Sequence, residues 1–292
     1  MLRINLLLCL LIILSSCQRD VDGVIRTNND INIVFHDVSN KGSNVIKGNF
    51  INLNLSVKDQ KDSLVFNSKF NGLRGVSSFL YDSSIYNSSY SDLFENLIEG
   101  DSVSFSTSLK KFLYSFLKYD DLGSQFKDRT VNVHLRLISY CDEFQQEVYM
   151  KELTRSALQL EKDKLDGEKQ KWDSLYNDIV VIDSVLYSRL LTKNTYNYKM
   201  NMDSIKDYYV LDYTLKDLDN RVLFATQTHK PHFFQKNKQG QLLKGFELLL
   251  SKYESGDSVY AVLPSHLAFY NKGAFSVMIP PFTPMKLNLR IR

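Results

Sequence analysis

The segment Gly245-Phe-Glu-Leu-Leu-Leu-Ser-Lys-Tyr253, followed by the turn Gly256-Asp-Ser-Val259, reads as one short helix that passes through a tight turn into a strand. On both sides the hydrophobic period is two. Upstream, Tyr208-Tyr-Val-Leu-Asp-Tyr-Thr-Leu215 is a strand that ends in the charged turn Lys216-Asp217. Downstream, Met285-Lys-Leu-Asn-Leu-Arg-Ile291 alternates cleanly, which buries one face and wets the other. Strands around a single helix imply an antiparallel sheet packed on that helix, an α+β layer architecture.

The same order occurs earlier in the chain. Asp62-Ser-Leu-Val-Phe-Asn-Ser68 resembles Asn220-Arg-Val-Leu-Phe-Ala-Thr226, Gly100-Asp-Ser-Val103 matches Gly256-Asp-Ser-Val259, and Val133-His-Leu-Arg-Leu137 resembles Leu287-Asn-Leu-Arg-Ile291. The offsets are 158, 156 and 154 residues, a drift that loop lengths explain. Each match alone is weak, because Gly-Asp-Ser-Val is a common turn into a strand. Three in one order and nearly one register point to two copies of one domain. Phe50-Ile-Asn-Leu-Asn-Leu-Ser-Val57 opens the first copy and Thr130-Val-Asn-Val-His-Leu-Arg-Leu-Ile138 closes it.

At the N-terminus an apolar run from Leu6 to Leu14 leads to Ser15-Ser16-Cys17. The run falls short of the roughly 20 residues of a bilayer-spanning helix and reads as a signal peptide. Small residues before a cysteine resemble the lipobox of bacterial lipoproteins. That resemblance implies cleavage before Cys17, acyl chains on its thiol and amine, and a cell-envelope protein anchored to a membrane without spanning it. Gln18, where Asp is absent, favours the outer membrane by the same analogy. Cys9 would leave with the signal and Cys17 would carry lipid, so Cys141 would remain as the one thiol and no intramolecular disulfide could form. The core must then hold the fold alone, for which roughly 270 residues are ample. A net charge of +3, with basic and acidic residues interspersed, offers no basic stripe and argues against a nucleic-acid partner. A hydrophobic fraction of 43% with many aromatics argues against disorder.

From about Glu143 to Tyr176, Met150, Leu153, Ala157 and Leu160 recur at helical spacing among Lys, Glu and Gln. This is an amphipathic helix joining the copies, although Gly167 lowers its helix propensity. Its narrow stripe has two uses open to it, packing on a domain or pairing with another chain. Its mixed charges suit a membrane surface poorly. The expected organisation is a signal peptide at 1–16, a tether at 17–30, a first copy at 31–140, a helical linker at 141–182 and a second copy at 183–292.

The second copy carries Asp212-Tyr-Thr-Leu215, Leu242-Leu-Lys-Gly-Phe-Glu247, Ser255-Gly-Asp257, Leu263-Pro-Ser-His-Leu-Ala268 and Ile279-Pro-Pro281. These five blocks, in this order, resemble the FKBP-type peptidyl-prolyl isomerase family. The resemblance implies two FKBP-like α+β domains, each a twisted antiparallel sheet of five or six strands wrapped around a short helix. In the second it implies a proline-binding pocket between sheet and helix. Rotation about an X-Pro bond faces a barrier of about 18–20 kcal/mol because the amide C–N bond has double-bond character. A pocket that grips the twisted amide better than the planar one lowers that barrier without nucleophile, metal or cofactor.

Carried over by position, the family pocket would be lined by Tyr213, Leu223, Leu242, Leu243, Phe246, Phe269, Ile279 and Leu287, with Phe233 or Phe234 as a wall. Phe246 would take the floor position, where Trp is usual, and the Leu243 N–H would bind a substrate carbonyl. Two departures follow from the same alignment. The family's pocket aspartate falls on Phe224, with Leu223 in the place of the aromatic before it. The ligand-bonding tyrosine falls on Phe269, followed by Tyr270 where glycine is usual. Each lost hydrogen bond is worth about 0.5–1.5 kcal/mol, so low isomerase activity is expected. A one-residue shift of the loop would instead bring the Tyr270 hydroxyl into the pocket. In the first copy Leu55 replaces Tyr213, Asn87-Ser-Ser-Tyr90 replaces the Leu-Lys-Gly-Phe block, and Ile-Pro-Pro is missing, which implies a non-catalytic domain. Its loop from Asn71 to Ser91, rich in Ser, Tyr and Asn, suits a protein-contacting surface.

His229-Lys-Pro-His232 and His266 have no acidic or cysteine ligand near them in sequence and read as exposed loop histidines, not a metal site. Ser265-His266 is not a hydrolase pair, since no Gly-x-Ser-x-Gly elbow exists. Two functions stay open. One is a folding factor that binds proline-containing segments of extracytoplasmic proteins. The other is a non-catalytic scaffold subunit of an envelope or secretion complex, docked through the first copy.

Overall fold

The computed structural model describes residues 24–26, 31–39, 42, 44–86, 88, 90–117, 127–193, 207–227, 230–238, 240–274 and 278–292. The signal peptide, Cys17 and the start of the tether lie outside the described residues. Two compact units emerge: unit 1 holds the chain up to Phe66 and Val76–Gln146, and unit 2 holds Asn67–Gly75 and Glu147–Arg292.

Unit 1 is built on the strands β1 (Val24–Arg26), β2 (Asn32–Asp37), β3 (Phe50–Asp59), β4 (Leu64–Asn67), β5 (Ser77–Leu80), β6 (Ser102–Ser108) and β7 (Thr130–Cys141). Helix α1 (Ser68–Asn71), after β4, belongs to unit 2, and the short helices α2 (Ser83–Tyr86), α3 (Ser91–Asn96) and α4 (Leu109–Leu117) interrupt the strands of unit 1. A long helix, α5 (Glu143–Leu175), follows. Unit 2 is built on β8 (Val180–Ile182), β9 (Leu186–Thr192), β10 (Tyr208–Asp217), β11 (Val222–Ala225), β12 (His232–Gln235), α6 (Lys244–Lys252), β13 (Ser258–Leu263) and β14 (Met285–Ile291).

The two sheets have the same topology. The first runs β1-β2-β6-β7-β3-β4 with β5 also paired to β3, and the second runs β8-β9-β13-β14-β10-β11 with β12 also paired to β10. Both are antiparallel sheets of seven strands, two more than the lower expectation, because a hairpin precedes the first expected strand of each copy. Val24–Arg26 pair with β2, so the folded part of unit 1 begins inside the segment expected to be a tether.

The three sequence landmarks of the repeat become three matched hydrogen-bond patterns. At the first, Asp59 and Asp217 accept the N–H of Asp62 (2.9 Å) and Asn220 (3.0 Å), and both of those residues take left-handed φ values, 62° and 67°. The side chains of Asp59 and Asp217 also accept Ser63 N–H (2.9 Å) and Arg221 N–H (2.8 Å). At the second, Gly100 and Gly256 sit at φ 95° and 96°, a region glycine enters without steric cost. The following aspartates turn back to cap their own loops, Asp101 on Ile98 N–H (2.9 Å) and Asp257 on Glu254 N–H (3.0 Å). At the third, Leu137 and Ile291 donate to the carbonyls of Asp101 (2.9 Å) and Asp257 (3.0 Å). Chance strand similarity does not reproduce side-chain caps in register, so the duplication is structural.

In β7 the side chains from Thr130 to Leu137 alternate between exposed and buried, as the period of two requires. In unit 2 the inward face of the sheet, with Leu211, Leu215, Val259, Ala261, Leu263, Leu287 and Leu289, packs on Phe246 and Leu249 of α6. Gly245 is required there, because a Cβ at that position would lie 2.1 Å from Leu263 Cδ2.

Helix α5 is unbroken through Gly167, and it is more than a spacer. Leu165 and Trp172 pack on Val262 with Tyr260 and Tyr187, which covers the outward face of β13 and β9. Trp172 stacks on Tyr260 with ring centroids 4.9 Å apart. Unit 2 therefore has three layers: α5, the sheet and α6. The buried stripe is Ala157, Glu161, Leu165, Glu168 and Trp172, not the expected Met150, Leu153, Ala157 and Leu160; Leu160 is exposed. Gln146 is buried at the start of the helix as well, and two of the five stripe positions are carboxylates, invisible to an apolar count. Glu161 accepts from Ser265 N–H (2.6 Å) and Ser265 Oγ–H (2.8 Å), and Glu168 pairs with Lys286 at 3.0 Å.

Unit 1 also corrects an expectation. In the segment from Asn71 to Ser91, Tyr81, Ile85 and Tyr90 are among the most buried side chains of the described residues and face the core. The Cys141 thiol donates to Gln146 Oε1 at 3.1 Å, and burial pushes its pKa up, which makes it a poor nucleophile.

Candidate functional site

A cavity of about 310 Å³ opens in unit 2 between the sheet and the start of α6. Tyr213 and Leu215, two apart on β10, present the same face to it. Phe224 enters from β11 and Phe234 from β12. Leu242, Leu243 and Phe246 come from the start of α6, and Phe269, Ala274 and Ile279 from the loop between β13 and β14. The rings lock one another. Tyr213 lies against Phe224 at 5.2 Å and meets Phe246 edge-on at 5.0 Å. Phe246 is buried and forms the floor.

Leu243 is the N-cap of α6, with extended φ and ψ of −67° and 146°. Its carbonyl accepts Phe246 N–H at 2.9 Å, while its own N–H has no partner among the described residues. Helix starts leave such donors unpaired, and here the donor belongs to a residue on the cavity wall. The loop opposite is strained: Tyr270, Met278 and Phe282 take positive φ values of 45°, 52° and 57°. Strain of this kind persists only where surrounding structure enforces it, and it concentrates at ligand-binding loops.

Of the residues expected from sequence, Tyr213, Phe224, Leu242, Leu243, Phe246, Phe269 and Ile279 are brought together around the cavity. The alternative between Phe233 and Phe234 resolves to Phe234, since Phe233 is 57% exposed. Leu287 is fully buried on β14 and supports the pocket without lining it. Leu223 packs on the core and does not line the cavity either. The cause is a bulge: Leu215 pairs with Phe224 and Lys216 with Val222, so Leu223 is the extra residue and Phe224 inherits the inward position. The inward position after the turn is therefore held by Phe224 and not by Leu223. The alternative placement of Tyr270 is also corrected, because its ring packs edge-on against Phe282 at 5.3 Å, outside the cavity.

A histidine also departs from its expected place. His232 is not a loop histidine but a half-buried member of β12, and its Nδ1 lies 3.2 Å from the Tyr213 hydroxyl. Its alternation with Phe234 was the available signal, obscured by Pro231 and a four-residue strand. Burial raises the Tyr213 pKa, so the phenol stays un-ionised.

In unit 1 the corresponding side chains are buried. Tyr90, 156 residues before Phe246, is 1% exposed and its hydroxyl bonds Thr107 Oγ1 at 2.6 Å. Phe66, which corresponds to Phe224, is 3% exposed.

No protein-family model matches the chain, and no curated protein does. Among solved structures, the chain is similar to a peptidyl-prolyl cis-trans isomerase from Pseudomonas syringae at 21% identity, over 47% of this chain and 92% of that one, with a TM-score of 0.37. It is similar to the three FKBP domains of wheat FKBP73 at 10% identity, over 90% and 94% of the chains, with a TM-score of 0.32. The N-terminal domain of FKBP42 from Arabidopsis thaliana follows at 16% identity, over 40% and 91%, with a TM-score of 0.34. At such identities and scores no activity passes from them to this chain. The solved structures it is similar to are FKBP-type peptidyl-prolyl isomerases, multi-domain ones among them.

Proposed function

We propose that unit 2 binds proline-containing polypeptide segments and weakly accelerates their cis-trans isomerisation. In this reading the chain is a folding factor for extracytoplasmic proteins, held at the cell envelope, in the outer membrane, by lipid on Cys17. The observation that carries the catalytic part is the cavity itself: an aromatic box of Tyr213, Phe224, Phe246 and Phe269 with the unpaired Leu243 N–H at its lip. An apolar box desolvates the prolyl amide and favours the twisted form, which has less amide resonance, while one N–H fixes a flanking carbonyl. The lipid anchor rests on the sequence around Cys17 alone.

A protease-coupled isomerisation assay on a proline-containing tetrapeptide p-nitroanilide tests the activity. The parent should accelerate the slow phase and Phe246→Ala should abolish the effect with the fold retained. Equal rates with and without the parent would sink the catalytic reading. Cys17→Ser should release the protein from membranes.

A second reading, a non-catalytic scaffold subunit of an envelope or secretion complex, is favoured by unit 1, where Tyr90 and Phe66, the counterparts of Phe246 and Phe224, are buried. Binding of the tetrapeptide without acceleration would select it.

A further inference from the structure

Twelve residues line the cavity of unit 2, and among them Tyr213 and Gln241 are the two whose side chains carry polar groups. Gln241 Oε1 accepts Gln235 N–H of β12 at 3.2 Å, while its Nε2 is buried without a partner among the described residues. Tyr213 therefore supplies the one hydroxyl on the wall. Its ring is held against Phe224 and Phe246, and among the described residues its oxygen meets a single side chain, His232, at 3.2 Å. His232 is itself held among rings, with centroids 5.5 Å from Tyr213, 5.5 Å from Phe224 and 6.1 Å from Phe234.

An imidazole is an unusual choice here if packing were its purpose, since a phenylalanine or leucine would complete the cluster without a polar group to satisfy. The imidazole adds a hydrogen-bonding partner of fixed direction for the Tyr213 oxygen. We propose that His232 is a positioning residue for the pocket. By donating its Nδ1–H to the Tyr213 oxygen it leaves the hydroxyl hydrogen free and aimed away from the imidazole, which makes the Tyr213 O–H the side-chain donor to a backbone carbonyl of a bound prolyl segment. This rests on the prolyl-binding reading of the same cavity. The pair supplies polar recognition in a pocket whose remaining side-chain walls are nearly all hydrocarbon.

The test compares Tyr213→Phe, His232→Leu, His232→Asn and the double variant Tyr213→Phe/His232→Leu in the tetrapeptide assay. Loss of one such bond should raise KM about three- to tenfold in Tyr213→Phe and in His232→Leu, with kcat little changed. The double variant should be no worse than either single one, and His232→Asn, which keeps a polar group near the Nδ1 position, should restore affinity. An unchanged KM in His232→Leu, or a further loss when it is added to Tyr213→Phe, would overturn the proposal. A second measurement does not depend on turnover: the His232 Nδ1 resonance in nitrogen NMR should shift between the parent and Tyr213→Phe. If the parent fails to catalyse, the functional reading falls, and the resonance decides the pairing: a shift supports it, and an unmoved resonance overturns it.

Discussion

Replacing Glu161 by alanine should detach helix α5 from unit 2 and loosen the pocket loop. The Glu161 carboxylate is 7% exposed and receives both the backbone N–H (2.6 Å) and the hydroxyl (2.8 Å) of Ser265, which is 1% exposed. Removing it strands two buried donors, and each unsatisfied donor costs about 1–3 kcal/mol. Release of a carboxylate from burial offsets part of that sum. A net loss of about 2–4 kcal/mol is expected, against about 1–2 kcal/mol for Glu161→Gln, which keeps one acceptor. Trp172, the one tryptophan of the chain, is 2% exposed on the same helix and reports docking directly. With a urea m-value of about 2 kcal/mol/M, the midpoint followed by Trp172 fluorescence should fall by about 1–2 M in the alanine variant. The loop responds too, because the Ser265 carbonyl accepts Ala268 N–H and Tyr270 N–H, both at 2.8 Å, and Phe269 sits between them. Peptide binding should therefore weaken at urea concentrations below the transition. An unchanged midpoint and emission maximum would refute the view that α5 is an integral layer of unit 2.

Other consequences are simpler. Gly245→Ala should lower the Tm of unit 2 despite the better helix propensity of alanine, because its Cβ would meet Leu263 Cδ2 at 2.1 Å and overpacking costs about 1–3 kcal/mol; an unchanged Tm would show that Leu263 can move away. Tyr90→Phe should destabilise unit 1 by about 1 kcal/mol through loss of the Thr107 bond, with no effect on prolyl-peptide binding. Burial has pushed the Tyr90 phenol up to about 12, so that loss should be the same at pH 6 and pH 9 in urea titrations. His134 is held below its ordinary 6.5 by burial and then by His36 alongside it. Its folded form binds protons less readily than its unfolded form, so its contribution is present above about pH 6.5 and lost as pH falls through the depressed value. Thermal unfolding of unit 1 between pH 8 and 5 should show that decline, and His134→Gln should flatten it.

The sequence exposed most of the fold because the repeat was anchored in residues with local jobs. Asp59, Asp217, Gly100 and Gly256 occupy turns that dictate their own residue types, so the spacing between them survived while the strands diverged. The pocket was legible where side-chain identity follows alternation, as at Tyr213 and Leu215. It was hidden where one residue of register decides a face: the bulge at Leu223 moves Phe224 inward, and nothing in Arg221-Val-Leu-Phe224 announces a bulge. The buried stripe of α5 was hidden because Glu161 and Glu168 are charged. Carboxylates count as surface until the Ser265 and Lys286 partners, 104 and 118 residues away, are known.

The contrast between the two units locates the origin of a pocket in this topology. Ser108 and Pro264 are 156 residues apart, the same offset as the Gly-Asp-Ser-Val turns, so each comes after the matching strand. After Ser108 the chain enters α4, with Ser108 Oγ accepting Lys111 N–H at 3.3 Å as a helix cap, and Phe112 and Leu113 are buried. After Pro264 it makes only a 3-10 turn, Ser265–Leu267, whose first residue gives its N–H to Glu161, and it then crosses the cavity as a strained loop. A nine-residue helix places three large apolar side chains, Leu109, Phe112 and Leu113, in the core, whereas a loop held at its base by Glu161 and at Gly273 by a left-handed φ of 61° leaves a space beneath Phe269. The two copies thus differ less in their sheets than in the segments that leave β6 and β13. On this view a chimera with Ser265–Thr283 in place of the segment between β6 and β7 should lose stability in unit 1 before it gains any affinity for a prolyl peptide, since Tyr90 and Phe66 would still occupy the floor and wall.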